Sequence, residues 1–312
     1  MRMSGRTRVT MCNSGMLCVW KDVLTAISGA KTSTAHRMIS RGVLVSNSAD
    51  SESISSWLNI GENYNRYNVA VNPATVERLI SLNRRFYTDH GHDFSETRRR
   101  LQPGVLRLLE TLHGGESILD LGCGNGELAR TLSRRGHRGR YVGLDFSLPL
   151  LEEAQRQEFA FPVQFLQADI AELSIVNDHL PLTGGWSWIT AFAVLHHLPG
   201  LELRLALVRN VHDLLEQGGL FIHSNWQFLS SPRLKRRIQP WDGAGVGPEE
   251  VDANDYLLDW RVGRRGLRYI HHFDEGELAE LARLGGFEVL ETFYSDGENK
   301  RLSVYQVWRK AP

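Results

Sequence analysis

The residues whose types and spacing most plainly imply chemistry are three carboxylates set around a glycine loop. Asp120-Leu-Gly-Cys-Gly-Asn-Gly126 places Gly122, Gly124 and Gly126 two residues apart. Glycine at such positions lets the backbone turn sharply and pass close to a ligand. Asp145 follows about twenty residues beyond the loop, a separation at which a carboxylate can accept both hydroxyls of a ribose. Asp169, in Ala168-Asp169-Ile170, is placed to take the amino group of an adenine while Ile170 covers the ring. Together they describe an adenosine site. A dinucleotide site shares the loop and the distant acid, but its glycines are spaced Gly-x-Gly-x-x-Gly. Here the spacing is Gly-x-Gly-x-Gly with Asp120 two residues ahead. That suits a ligand with a cationic end and implies no pyrophosphate pocket. Cys123, inside the loop, has no base near it in sequence, so no nucleophilic duty is expected of it.

The elements that must position these groups are readable from hydrophobic period. Pro73 to Leu112 has helical spacing, with Pro103 suited to a first helical turn. After Gly114-Gly115 the pattern becomes strand and helix in alternation: strands at Ser117–Leu121, Tyr141–Asp145, Val163–Ala168, Trp188–Phe192 and Gly219–Ser224, with helices at Leu128–Leu132, Leu148–Gln157 and Glu202–Leu215. Repeated βα units predict a parallel sheet with helices on both faces. All three acidic motifs then fall at strand ends, on the edge where open α/β sheets bind ligands. Asn225 to His272 breaks the rhythm with Pro232, Pro240 and Pro248. It lies beyond a strand's carboxyl end, which makes 225–272 a candidate substrate lid. A helix at Glu275–Leu284 and a terminal hairpin of Phe287–Phe293 with Leu302–Trp308 complete the chain.

Composition narrows the class. Apolar residues at 42% and charged residues at 23% suit a globular protein of 312 residues, and no window is apolar enough for a membrane span. The net charge of zero hides an asymmetry. Residues 1–49 hold seven Lys/Arg against Asp22 alone, so they carry +6 and the remainder −6. Such a body excludes a generic polyanion binder and leaves nucleic-acid contact to local basic patches. Residues 1–56 lack apolar period and read as a poorly ordered extension, either a transit segment or an over-extended start with Met38 as the alternative initiator. A helical segment at 57–112 and a domain at 113–312 follow. Cys12, Cys18 and Cys123 offer neither paired framework nor metal spacing, which points to a reducing compartment, the cytoplasm by default.

On the motifs Asp120–Gly126, Val142–Phe146 and Gln167–Ile170, the chain resembles the class I S-adenosylmethionine-dependent methyltransferases. The resemblance spans roughly 115 to 225 and implies a Rossmann-like sheet, mostly parallel with an antiparallel terminal strand. It implies S-adenosylmethionine held by Asp120, Gly122, Gly124, Gly126, Asp145, Phe146, Asp169, Ile170 and Phe192, and in-line displacement at the sulfonium, for which proximity is the main catalytic demand. Phe192-Ala-Val-Leu-His-His-Leu198 then ends the strand facing the transferred methyl, so His196 and His197 lie near the chemistry, as a general base or as caps of the next helix.

The flanking segments, Phe94-Ser-Glu-Thr-Arg98, Pro240-Trp241, Arg268-Tyr-Ile-His271 and Val304–Arg309, are similar in order to the tRNA wobble-uridine methyltransferases that esterify 5-carboxymethyluridine. The chain departs from them in reading Arg-Tyr-Ile-His where that family has Arg-Tyr-Tyr-His. This resemblance implies tRNA as a partner and, by analogy with the eukaryotic enzymes, a small zinc-finger activator protein. It implies catalytic roles for His197, Arg268 and Tyr269, and acceptor contacts for Arg98, His196, Trp241 and His271. An ionised carboxylate acceptor needs little base and much orientation, which an arginine fork supplies. The alternatives are a methyltransferase for a small metabolite and, less well supported, a binding protein without catalysis.

Overall fold

The computed structural model describes residues 71–96, 100–172, 180, 184–261 and 265–311. By its contacts the chain divides at Gly61, and all described residues belong to the unit Glu62–Pro312. The expectations for 1–56 and for Arg98 lie outside the described residues.

A long helix α1 (Pro73–Glu96) and a short α2 (Pro103–Leu108), with Pro103 in its first turn, precede the core. The core alternates β1 (Ile118–Leu121), α3 (Glu127–Arg134), β2 (Tyr141–Asp145), α4 (Leu148–Gln155), β3 (Val163–Gln167), β4 (Trp186–Phe192), α5 (Leu201–Leu214) and β5 (Leu215–Trp226). It closes with α7 (Glu275–Leu284), β9 (Phe287–Ser295) and β10 (Ser303–Lys310). Between β5 and α7 lie a single-turn α6 (Pro232–Lys235) and the strands β6 (Ile238–Gln239), β7 (Asp255–Trp260) and β8 (Gly266–His271).

Seven strands form one sheet in the order β3-β2-β1-β4-β5-β10-β9. Neighbours β1 to β5 pair in parallel, while β10 runs antiparallel to both β5 and β9. β1 and β2 are buried at every position, as strands covered on both faces must be. Successive residues serve opposite layers: Leu119 and Ile189 join the core with α5 and α7, whereas Ile118 and Trp188 join the one with α2 and α3. Strand order reverses between β1 and β4, which opens the crevice at their carboxyl ends.

The segment 225–272 is more regular than its prolines suggested. It holds a three-stranded antiparallel sheet, β6-β7-β8, because Asp255–Trp260 and Gly266–His271 pair residue for residue from Asp255 with His271 to Trp260 with Gly266. Leu79 of α1 packs with Tyr269, Val246 and Val251 of this segment, with Leu82 and Trp241 against them. Trp241, expected at the acceptor, is thus half-buried beneath α1.

Candidate active site

The Gly loop connects β1 to α3, and its three glycines all have positive φ, between 55° and 77°. A Cβ at Gly122 would come within 2.6 Å of Val194, and one at Gly126 within 2.9 Å of Ala154, so those two positions are closed by packing. A Cβ at Gly124 would meet nothing within 4 Å. Gly124 therefore faces open space, a cradle in which a ligand can approach bare backbone. Its N–H donates to Asp145 Oδ2 at 2.9 Å, and Ser147 N–H donates to Asp145 Oδ1 at 2.9 Å. Each carboxylate oxygen keeps a further acceptor direction for hydroxyl donors.

This loop forms one wall of a cavity of about 310 Å³ that also takes in Asp120, Asp145, Phe146, Asp169, Ile170, Phe192, His197, Trp226 and Tyr305. Asp120 accepts from Tyr141 Oη at 2.6 Å and Thr190 Oγ1 at 2.7 Å. Burial pushes both the Asp120 and the Asp145 carboxyls up to about 6, in spite of the hydrogen bonds that favour their anions. A cation brought to this wall would return them to the charged form, so the donor set fits a ligand with hydroxyls and a positive centre. Burial raises the Cys123 thiol well above its usual range, which leaves it inert.

The cover of the cavity is α1, through Ile80, Asn83, Arg84 and Tyr87. Arg84 Nε donates to Asp169 Oδ2 at 2.6 Å. Asn83 clasps the backbone of Tyr269, accepting from its N–H at 2.8 Å and donating to its carbonyl at 3.1 Å. Tyr87 Oη and His197 Nε2 are 2.7 Å apart, and His197 Nδ1 is 3.2 Å from the Tyr269 carbonyl. A carbonyl only accepts, so Nδ1 carries the proton in the neutral ring and Nε2 accepts from Tyr87. None of these α1 residues was singled out from sequence; the spacing i, i+1, i+4 of Asn83, Arg84 and Tyr87 on a helix is the signal that was there.

The fold separates the remaining acceptor candidates from the cavity wall. Arg268 is 3% exposed, and its guanidinium carbon lies 4.5 Å over the ring of Trp226 and 5.3 Å over that of Phe86. It meets the cavity through Trp226. His196 is buried against the same indole, 6.3 Å away and near-parallel at 8°. Tyr269 and His271 belong to an interior network around Arg204, whose side chain has no exposure. His271 Nδ1 is 2.6 Å from Asp255 Oδ1 and its Nε2 is 2.8 Å from Glu277 Oε1. Tyr269 Oη donates to Asp255 Oδ1 at 2.7 Å and accepts from Arg204 Nη2 at 3.2 Å. Both side chains are consequently tied into the interior, and the Tyr269 carbonyl lies beside His197 Nδ1. Asp252, Asp255 and His271 have ligand atoms within 4.8 Å of one another, but the guanidinium of Arg204 is already among them as their cation.

A parallel sheet reversing at β1 and β4, with a glycine cradle and acids at three strand ends, defines the Rossmann-like class of nucleoside-ligand enzymes. Within it, residues 94–292 match the family model for a methyltransferase domain, and the chain belongs to that family. It is 31% identical over 208 residues to a putative methyltransferase of Encephalitozoon cuniculi, covering 66% of this chain and 87% of that one. It is 25% identical over 218 residues to the tRNA (carboxymethyluridine(34)-5-O)-methyltransferase of Schizosaccharomyces pombe, covering 64% and 86%. Its fold matches the 1,6-didemethyltoxoflavin-N1-methyltransferase of Burkholderia thailandensis, solved with S-adenosylhomocysteine, with TM-score 0.53 at 19% identity over 78% of this chain and 92% of that one. The protein is an S-adenosylmethionine-dependent methyltransferase. No helix among the described residues is long and apolar enough to cross a membrane.

Proposed function

We propose that this methyltransferase esterifies a carboxylate, that of a modified wobble uridine carried by tRNA. The observation that carries the reading is the commitment of every base on the described cavity wall. His197 Nε2 accepts from Tyr87, and Asp120, Asp145 and Asp169 are held by Tyr141, Gly124 and Arg84. Glu127 is paired with Arg130 and Arg134, and Asp296 accepts from Tyr305. A wall so occupied suits an acceptor that arrives already ionised, and a carboxylate is ionised at neutral pH. The likeness to the Schizosaccharomyces pombe enzyme supports the same acceptor.

S-adenosylmethionine supplies a methyl group on a sulfonium. In this reading Asp145 takes the ribose hydroxyls, Asp169 under Arg84 takes the adenine amino group, and Asp120 faces the cationic end. Phe192 and His197 shape the space beside the methyl, with Trp226 as the stacking wall for the acceptor base. The chain's contribution is orientation and exclusion of water by α1. The burial of Arg268 behind Trp226 favours a second reading, a small carboxylic acid held mainly by shape.

The test is methyl-ester formation on tRNA containing 5-carboxymethyluridine, run with and without a small zinc-finger activator of the eukaryotic kind. Ester on that tRNA, and none on tRNA lacking the carboxyl, is expected. Transfer to free small acids with no transfer to tRNA would move the assignment to the second reading.

A further inference from the structure

Resting on the reading that the acceptor is carried by RNA, we propose that α6 and the β9–β10 turn form a docking surface for RNA phosphates beside the cavity mouth. Each segment alone supplies only part of the patch. Arg233, Lys235 and Arg236 belong to α6 and its C-cap, and Lys300 and Arg301 to the turn, more than sixty positions later. The fold brings them together through Ser230, just ahead of α6. Ser230 Oγ donates to the Arg301 carbonyl at 3.1 Å, and Asn299 Nδ2 donates to the Ser230 carbonyl at 3.3 Å. Gln227 N–H donates to the Leu302 carbonyl at 2.7 Å, which fixes the register of the two segments.

All five cations are exposed. None of them forms an ion pair among the described residues, a property they share with Arg85, Arg135, Arg138, Arg156 and Arg265 but not with Arg84, Arg107, Arg130, Arg134, Arg204, Arg261, Arg283 and Arg309. Each of those eight has a carboxylate within 4.0 Å. Arg301 is additionally held flat, 4.4 Å over the ring of Tyr294. Of the acids on the turn, Asp296 is committed to Gly104 N–H and Tyr305 Oη, leaving Glu298. In a body of net −6, five exposed cations that the fold gathers from two distant segments form a local basic patch, the kind of surface that can hold a polyanion.

Their location supplies the second argument. Leu234 is the buried residue of α6, and it packs in one apolar cluster with Trp226 and Leu302. Trp226 and Leu302 both line the cavity. The basic face is thus one side-chain layer from the wall that receives the acceptor, and Arg100 adds an exposed cation on that wall. A further basic stretch, Arg134 to Arg140, enters β2 at its amino end, away from the carboxyl ends where the cavity lies. A carboxylated base in the cavity and its flanking phosphates on α6 and the turn would be read at the same time.

The experiment measures binding of an unmodified tRNA transcript by fluorescence anisotropy from 50 to 300 mM salt. The variant combines Arg233→Glu, Arg236→Glu, Lys300→Glu and Arg301→Glu, and its fold is checked by S-adenosylhomocysteine affinity. A loss of about a hundredfold or more at low salt is expected, with the log–log salt slope reduced by about two or more. Reversing Arg135 and Arg138 is expected to change little. Unchanged binding and slope in the quadruple variant would overturn the proposal, as would an equal loss from Arg135 and Arg138, or an equal loss toward phosphatidylserine vesicles. Patch-dependent binding of tRNA that is never methylated supports the surface while removing the acceptor proposed above, so the two readings fail separately.

Discussion

Asp145 is the residue on which cofactor recognition and pH dependence meet. Burial outweighs the backbone hydrogen bonds from Ser147, Gly124 and Phe146 and holds its carboxyl up at about 6, against 3.8 for the free side chain. In the cofactor-free protein the folded state therefore binds more protons than the unfolded one between those values. The sign follows: stability from this group is present below the lower value and is lost as pH rises through about 6. Accepting ribose hydroxyls demands the anion, so cofactor affinity runs the other way. It should fall as pH drops below about 6, more steeply than one titration allows because Asp120 is raised to about 6 as well. Calorimetry with S-adenosylmethionine from pH 5 to 8 checks this, and a flat affinity over that range would refute it. Asp145→Ala at neutral pH should weaken binding about tenfold or more, because charge-assisted hydrogen bonds contribute about 1.5–3 kcal/mol each. Tyr87 gives a second test at this scale. Tyr87→Phe leaves cofactor contacts in place but removes the donor to His197 Nε2. Methyl transfer should fall about threefold to tenfold, the worth of one neutral hydrogen bond. An unaltered rate would show that the ring is not coupled to transfer.

Helix α1 and the network beneath it form the element that turns a cofactor-binding sheet into a closed site. Asn83 joins α1 to β8, and the Tyr269 carbonyl joins β8 to His197. The Tyr269 hydroxyl joins β8 to Arg204 on α5 and to Asp255 on β7. Removing Arg204 leaves Asp252, Asp255 and Glu277 buried around a vacated cation site. A buried ion pair broken on one side costs about 3–5 kcal/mol. Arg204→Ala is therefore expected to lower the unfolding free energy measured in urea by that order, and a loss below about 1 kcal/mol would mean the acids relax into water. The strands and the glycine cradle were legible in the sequence, because a buried parallel sheet writes itself as short apolar runs and the loop needs positive φ at three fixed positions. The cover was not. On α1, Asn83 falls on the buried stripe of Leu79 and Phe86, while Arg84 and Tyr87 beside it read as a solvated face. Nothing local reveals that Arg84 meets Asp169, 85 positions away, or that Arg204 meets Glu277 after 73. The same limit explains Tyr269 and His271. Their order invited a catalytic role for Tyr269 and an acceptor contact for His271, while the partners that bury their side chains, Arg204, Asp255 and Glu277, are visible only in the fold.

For the whole molecule, charge and compactness divide the chain at different but neighbouring places. The first 49 residues carry +6 and the rest −6, and the compact unit begins at Glu62. The sheet, the cavity and the ion network lie within that unit. Deleting residues 1–49 should accordingly leave the melting temperature within a few degrees and the cofactor affinity within about twofold, a change of under about 0.5 kcal/mol. Charge predicts a separate consequence for RNA. The shortened chain becomes strongly negative, so its affinity for tRNA should drop at 20 mM salt, where fields reach well beyond contact distance, and approach that of the full chain at 150 mM, where they decay over about 8 Å. What survives at 150 mM should still depend on Arg233, Arg236, Lys300 and Arg301. Anisotropy titrations of both chains at the two salt concentrations check this. A deletion that abolishes binding at 150 mM would assign RNA contact to the basic segment rather than to the surface beside the cavity. A fall of ten degrees or more in melting temperature would make that segment part of the folded unit.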